Sequence, residues 1–179
     1  MSASLSREQK VIHFLNRTSF GPTQESVQRV NRLGLSAYLD EQLEPEKISD
    51  SLVEEKTAGL KTMRLGTREL FELYPPPKVA QDRATMVAEM QTRRLSLQKL
   101  QQARLLRAVH SQRQLYELMV DFWNNHFNIF AGKGPDLWLT TPYDRDVIRP
   151  HALGKFRDLS LATALQLFTR IWAIAWRMW

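Results

Sequence analysis

Residues 78–131 read KVAQDRATMVAEMQTRRLSLQKLQQARLLRAVHSQRQLYELMVDFWNNHFNIFA, and this stretch decides the fold. It contains neither glycine nor proline and is rich in leucine, alanine, methionine, glutamine and arginine, which are good helix formers. Ser111 and Gln114 have the spacing of a capping box and precede apolar residues at helical spacing, so we expect Ser111 to cap a second helix. The stretch therefore predicts a long helical hairpin of about residues 79–110 and 112–130.

Local signals also mark helix ends nearer the N-terminus. Ser6 and Gln9 form another capping-box pattern, and Thr23 is the next expected N-cap. Gly34 stands where that helix should stop, and Thr67 is expected to cap a further short helix. Because no segment alternates as a strand does, we predict an all-α fold, an irregular multi-helix bundle with little or no β structure.

Two regions carry weaker signals. Residues 44–65 hold acidic residues and few apolar ones, which predicts a loop or a marginal helix. Residues 132–142 contain two glycines and two prolines and are predicted to form a loop. Asp144 and Asp146 are then predicted to cap the start of a helix and to form ion pairs with Arg145 or Arg149.

Composition excludes several classes of protein. The 179 residues suit one domain, and 43% hydrophobic with 25% charged residues is ordinary for a globular chain. The absence of cysteine excludes disulfides, thiolate zinc sites, iron–sulfur clusters and a cysteine nucleophile. The first residues lack the features of a secretory signal and no stretch has the character of a membrane span, so we expect a cytoplasmic chain without a transmembrane helix. We predict no cofactor.

The net charge of +6 comes from residues 78–113, since the remainder of the chain sums to zero. Such a basic helix raises the hypothesis of nucleic-acid binding. The same stretch lacks the aromatic residues on which bases stack, and a helical charge run is usually a solvated face, so nucleic-acid binding is the least favoured function. The residues that would carry it are Arg83, Arg93, Arg94, Lys99, Arg104 and Arg107.

Three stretches together resemble the bacterial domain-of-unknown-function 1800 family. They are HFLNRTSFGPT at residues 13–23, MVDFWNNHF at 119–127 and YDRDVIRPHALGKFRDL at 143–159. The resemblance implies a helical fold but no activity that could be carried over to these positions. It also implies that relatives are longer, that some are exported, and that a protein encoded by a neighbouring gene is a possible partner.

The resemblance divides the chain near residue 164. We interpret residues 1–164 as the N-terminal portion of a single helical domain. Residues 165–179 diverge from the family pattern and hold three of the five tryptophans within the last eight positions. We interpret this tryptophan-rich tail as the remnant of a truncated or frameshifted gene.

His126, Asn125 and Arg149 are the candidates for catalysis. The spacing places His126 on the apolar face of its helix together with Phe122, where a buried imidazole needs hydrogen-bond partners. A core histidine satisfied by a carbonyl or carboxylate is the favoured interpretation. In the alternative, Arg149 binds a carboxylate or phosphate beside His126 and Asn125.

A second candidate site is an anion site at His13, Arg17 and Thr23. His13 and Arg17 are one helical turn apart and lead towards the start of the helix capped by Thr23, whose free N–H groups attract anions. Solvated surface is the favoured interpretation of this pair. No metal site is predicted, because the chain has no His-x-x-x-His or Glu-x-x-His spacing.

These patterns leave three functions open. A helical interaction or scaffold module is slightly favoured, because the long hairpin offers a surface and needs no chemistry. An enzyme or ligand-binding domain with a pocket around His126, Asn125 and Arg149, completed by further C-terminal sequence, is the alternative. Nucleic-acid binding through residues 83–113 comes third. The oligomeric state is not encoded in these patterns.

Overall fold

The computed structural model describes residues 5–75, 83–127, 129 and 136–166, and no strand occurs in these ranges, as the all-α prediction required. The helices are α1 (Arg7–Thr18), α2 (Gln24–Leu33), α3 (Leu35–Gln42), α4 (Ser51–Ala58), α5 (Thr67–Leu73), α6 (Arg83–His110), α7 (Gln114–His126), α8 (Asp136–Tyr143) and α9 (Arg149–His151). Residues 156–166 form a further helix, here called α10. None of the described helices is both long and apolar enough to cross a bilayer.

Helices α1 to α3 form a small N-terminal bundle whose ends follow the local signals. Ser6 accepts a hydrogen bond from the amide of Gln9 and Gln9 returns one to Ser6, as predicted. Thr23 caps α2 in the same reciprocal way with Ser26. Gly34 separates α2 from α3 at φ +90°. The bundle closes over a buried apolar cluster of Val11, Leu15, Val30 and Tyr38.

Residues 44–65 are more helical than predicted. They contain 3-10 turns at Pro45–Lys47 and Lys61–Arg64 on either side of α4. Leu60 and Met63 in and beside the second turn pack on α6, and this tertiary contact stabilises a segment whose own pattern is weak. The prediction for Thr67 is wrong by one position, since Gly66 is the N-cap of α5 and donates its N–H to Glu69.

The hairpin of α6 and α7 is present, but the predicted cap is wrong. Helix α7 begins at Gln114 with Arg113 as N-cap and ends at His126, inside the predicted limits of 112 and 130. The Ser111 hydroxyl instead donates to Asp50, 61 residues earlier in the chain. Predicted hairpin residues 79–82, 128 and 130 lie outside the described residues, as do the side chains of 83–86, 88–90, 92 and 93.

The predicted loop at residues 132–142 is wrong from residue 136 onward. Helix α8 starts at Asp136, includes Pro142, and continues through a π-helical turn at Asp144–Ile148 directly into α9. Asp144 and Asp146 therefore lie inside a helical run and do not cap one. This run and α10 pack on α7 around the largest apolar cluster, which consists of Val120, Tyr143, Val147, Ile148, Ala152 and Leu159.

Candidate functional site

Asp144 is a buried carboxylate at the start of the π-helical turn. The amide of Arg149 donates to the carbonyl of Asp144, five residues back, and the proline at position 150 follows immediately. A proline ring clashes with the carbonyl four residues before it in an α-helix, and a widened turn relieves that clash. Single π turns of this kind are frequent at functional sites. The Asp144 side chain, at the start of this turn, is fully buried, at 0% exposure.

Three donors surround the Asp144 carboxylate. Arg104 Nε on α6 and Asn124 Nδ2 on α7 donate to Oδ1 at 3.0 and 2.9 Å, and Arg149 Nε donates to Oδ2 at 3.0 Å. Burial alone would raise the pKa of Asp144, but the charges and hydrogen bonds of Arg149 and Arg104 outweigh it and hold the pKa below its ordinary value. Asp144 is therefore an ionised carboxylate that joins three helical segments.

Arg149 extends this network to a second carboxylate. Its Nη1 and Nη2 donate to Glu117 Oε1 and Oε2 at 3.0 and 2.7 Å, a bidentate pair. Its main-chain carbonyl accepts the hydroxyl of Tyr116 at 2.9 Å, and the Tyr116 ring centroid lies 5.9 Å from the guanidinium carbon. Only 13% of the Arg149 side chain is exposed, so its charge is balanced inside the protein.

Arg107 is the least satisfied member of the cluster. Its Nη1 is buried and has no hydrogen-bond partner among the described residues. Burial lowers the pKa of Arg107, and the neighbouring charge of Arg149 lowers it further. Within the described residues the cluster therefore holds three guanidinium groups, those of Arg104, Arg107 and Arg149, against the two carboxylates of Asp144 and Glu117.

A cavity of about 250 Å³ lies against this cluster. Its polar lining residues are Arg104, Glu117, Asp121, Asn124 and Arg149, and Phe20 from the turn after α1 also lines it. A larger cleft of about 740 Å³ shares some wall residues with it and extends towards α2, α3 and the α6–α7 loop. The residues common to both are Phe20, Leu105 and Ala108.

The structure does not bring the three catalytic candidates into one pocket. Arg149 lines the cavity, whereas His126 and Asn125 do not. Asn125 is exposed and its amide donates to the Asp121 carbonyl at 3.0 Å. The prediction that His126 lies in the core is wrong, because its side chain is exposed. The inward face of α7 carries Glu117, Val120 and Asn124, and this order places residue 126 on another side.

The second predicted site is likewise dispersed. The side chains of His13 and Arg17 are exposed on α1. Thr23 lines the larger cleft, which neither His13 nor Arg17 lines, and its hydroxyl accepts the amide of Ser26 at 3.1 Å. The three residues do not line a common cavity in the described part of the chain. Anion binding by them together stays a prediction.

Part of the basic stripe turns inward. Arg94 and Lys99 are exposed on α6, but Arg104 and Arg107 belong to the buried cluster. The side chains of Arg83 and Arg93 lie outside the described residues. Nucleic-acid binding by these six residues stays a prediction. Within the described ranges, no group of three or more His, Asp and Glu residues is arranged to hold a metal ion.

His126 belongs to a surface aromatic patch, defined here as Phe122, Trp123, His126, Phe127 and Phe156. The Phe122 and Trp123 centroids are 4.8 Å apart, and those of His126 and Phe127 are also 4.8 Å apart. Phe156 on α10 lies 5.7 Å from Trp123 and 6.1 Å from Phe127. Phe122 is 51% exposed and Phe156 is 56% exposed. The indole N–H of Trp123 donates to the Ala152 carbonyl at 2.9 Å, which holds the patch on the main apolar cluster.

Sequence reasoning identified Arg149 but missed Glu117, which pairs with it, and Asn124, which bonds to Arg104 and Asp144. The predicted pairing of Arg149 with Asp144 is present, and Arg145 pairs with Asp146. Glu117 and Asn124 had no role in the prediction, although a charged and an amide residue seven positions apart share a helix face. The seven-residue spacing of Glu117 and Asn124, next to apolar residues on the same helix face, could have indicated that both side chains point inward.

The fold and this cluster define an all-α domain organised around buried arginine–carboxylate pairs. The family described as protein of unknown function (DUF1800) matches residues 13–168, which is most of the chain. The chain belongs to this family, as the three quoted stretches indicated. No curated protein and no solved structure matches the chain.

Proposed function

We propose that the chain is a helical interaction module that binds a protein partner through the aromatic patch. The exposure of Phe122 and Phe156 within one cluster of touching rings is the observation that carries this proposal. Contiguous exposed apolar surface on a folded domain commonly marks an interaction site, and aromatic residues dominate the energetics of such sites. The role requires no chemical reaction.

The patch is also preorganised. Trp123 is fixed by its hydrogen bond to Ala152, and its ring contacts Phe122, Phe127 and Phe156. Rings that are already ordered lose little conformational entropy when a partner covers them. The surface therefore suits an apolar segment of a partner protein, and the product of a neighbouring gene is the first partner to test.

The test is calorimetric titration of that neighbouring protein against the wild-type chain and against Phe122→Ser and Phe156→Ser. Each substitution should weaken binding about tenfold or more, the loss expected for an aromatic residue central to an interface. Leu161→Ser is the matched control, because Leu161 is 52% exposed on α10 but lies outside the patch. Equal affinities for wild type and both patch variants, or no measurable binding at all, would contradict the proposal for this partner.

A further inference from the structure

We infer that the solvent-facing side of α6 binds an acidic amphipathic helix of a partner protein. This surface, here called the outer seam, consists of Gln91, Leu95, Gln98, Gln102, Leu105 and Val109. It shares no residue with the aromatic patch and does not depend on the interaction role proposed above. The inference rests on the spacing and exposure of the seam residues and on the charges that flank them.

Helix α6 has two different sides. On one side Leu100 and Ala103 are buried and pack with Leu60 and Met63 in an apolar cluster. The outer seam lies on the opposite side, because its residues are about half a helical turn away from Leu100 and Ala103. All six seam residues are exposed. One side of α6 therefore belongs to the core, and the other side faces solvent.

The seam residues have the spacing of a coiled coil. From Gln91 to Val109 the steps between them alternate between four and three residues, as do the a and d positions of a heptad repeat. Leu95 is 44% exposed, Leu105 is 65% exposed and Val109 is 63% exposed. Apolar residues with this spacing typically face a second helix. In the part of the chain that the structure describes, no helix covers them.

The seam runs into the larger cleft at its C-terminal end. Leu105 and Val109 line the cleft of about 740 Å³ together with Phe20, which is 44% exposed. The cleft offers a recess for apolar side chains at one end of a docked helix, the arrangement of helix-in-groove complexes. Glu25 is exposed and also lines the cleft, so the partner should carry no acidic residue at this end.

The middle of the seam is polar. Gln98 and Gln102 carry amide groups that need hydrogen-bond partners once a helix covers them. A polar residue at a single a or d position fixes the register of paired helices. The partner helix should therefore carry asparagine or glutamine at its centre and apolar residues on either side.

The charges beside the seam select an acidic partner. Arg94 and Lys99 are exposed and occupy the g and e positions on its two flanks. None of the ion pairs among the described residues includes them. In a pair formed with a second copy of α6, these cations would face cations. A nucleic-acid backbone would neutralise them but leave Leu105 and Val109 in water.

Calorimetric titration of a synthetic peptide against the full chain tests this binding. The peptide has about three heptads, with leucine at its outer a and d positions, asparagine at the central ones and glutamate opposite Arg94 and Lys99. Leu105→Ser and Val109→Ser should each weaken binding about tenfold or more, the loss expected for an apolar residue central to an interface. Leu161→Ser is the matched control and should leave binding unchanged, because Leu161 is 52% exposed on α10.

Two further variants separate the seam from other surfaces. Lys99→Glu should weaken binding of the acidic peptide about threefold and strengthen binding of an otherwise identical peptide with lysine flanks. Lys10→Glu, at an exposed position on α1, should change neither affinity. Phe122→Ser should also leave binding unchanged, because Phe122 belongs to the aromatic patch.

Five results would overturn the inference. The acidic peptide does not bind the wild-type chain saturably, or the lysine-flanked peptide binds equally well. Binding is unchanged in both Leu105→Ser and Val109→Ser. The wild-type chain sediments as a dimer that Leu105→Ser converts to a monomer, which would show that a second copy occupies the seam. A DNA duplex is retained in a manner that depends on Lys99 but not on Leu105, which would assign this side of α6 to nucleic acid.

Discussion

Arg149 and Glu117 form a bidentate ion pair in the interior, with Nη1–Oε1 at 3.0 Å and Nη2–Oε2 at 2.7 Å. Glu117 lies on α7 and Arg149 on α9, so the pair joins the two sides of the main apolar cluster. A buried pair adds little net stability over apolar packing, since both ions lose their hydration. Removing Glu117 has a larger effect, because Arg149 and Arg104 then share the single carboxylate of Asp144.

Glu117→Gln should therefore destabilise the protein by about 3 kcal/mol, the cost typical of removing one partner from a buried ion pair. Urea unfolding followed by circular dichroism measures the change. Glu44→Gln is the control, because Glu44 pairs with Lys47 on the surface and its loss should change stability little. Equal effects at both positions would show that Arg149 is neutralised by other means.

Asp144 should give the protein an acid-sensitive component of stability. Arg149 and Arg104 outweigh the effect of burial and lower its folded-state pKa, so ionised Asp144 stabilises the fold at pH values above the unfolded-state pKa. This contribution is lost as the pH falls through the lowered folded-state pKa. The free energy of unfolding of wild type should fall as the pH drops below about 5, because the Asp144 carboxyl is then protonated in the unfolded chain but not in the folded one.

Asp144→Asn has no charge at this position and should be less stable at neutral pH, with a shallower loss of stability on acidification. Urea midpoints at several pH values for both proteins measure the difference. Parallel curves would mean that other carboxylates account for the acid sensitivity.

Local sequence signals predicted the helices where the responsible interactions are local. The caps at Ser6 and Thr23 join residues three positions apart, and both form as expected. The helical run extends from Asp136 to His151, but its part up to Pro142 was predicted as a loop. Proline usually breaks a helix, and the prediction relied on that rule. Here the surrounding packing and a π-helical turn accommodate both prolines.

The candidate site was predicted less well for a related physical reason. Apolar periodicity assigned the wrong face of α7 to the core. Glu117 and Asn124 are polar, yet they point inward because they bond to Arg149 and Arg104. Their partners, Arg104 and Arg149, lie on other helices. Pairings between residues 20 or more positions apart leave no periodic signal in either helix.

Gly34 should be intolerant of a side chain. It adopts φ +90° and ψ 158° where α2 ends and α3 begins, a conformation that L-residues rarely adopt. Gly34→Ala should cost about 1–3 kcal/mol although no neighbouring atom would obstruct the new Cβ.

Gly59→Ala is the matched control for this substitution. Gly59 has an ordinary φ of −72° and equally open surroundings. Alanine there should be neutral or stabilising by up to about 1 kcal/mol, because it reduces the freedom of the unfolded chain. Thermal unfolding of the two variants in parallel separates backbone strain from steric contact. Similar midpoints would argue against strain at Gly34.

Asp50 replaces the cap that the sequence assigned to Ser111. Its Oδ2 accepts the Ser111 hydroxyl at 2.8 Å and its Oδ1 accepts the amide of Gln112 at 2.9 Å, so one carboxylate fixes the turn that leads into α7. Asp50→Ala leaves two donors unsatisfied near a largely buried position and should cost about 1–3 kcal/mol. Asp40→Ala, at an exposed position on α3, should change stability by less than about 0.5 kcal/mol.

Hydrogen exchange distinguishes this capping role from a general loss of packing. The amide of Gln112 should exchange faster in Asp50→Ala under conditions of local opening. The amide of Leu115, which donates to Gln42 at 3.2 Å, should keep more of its protection. If hydrogen exchange is instead accelerated uniformly across α7, Asp50 stabilises the whole hairpin and not the α6–α7 loop alone.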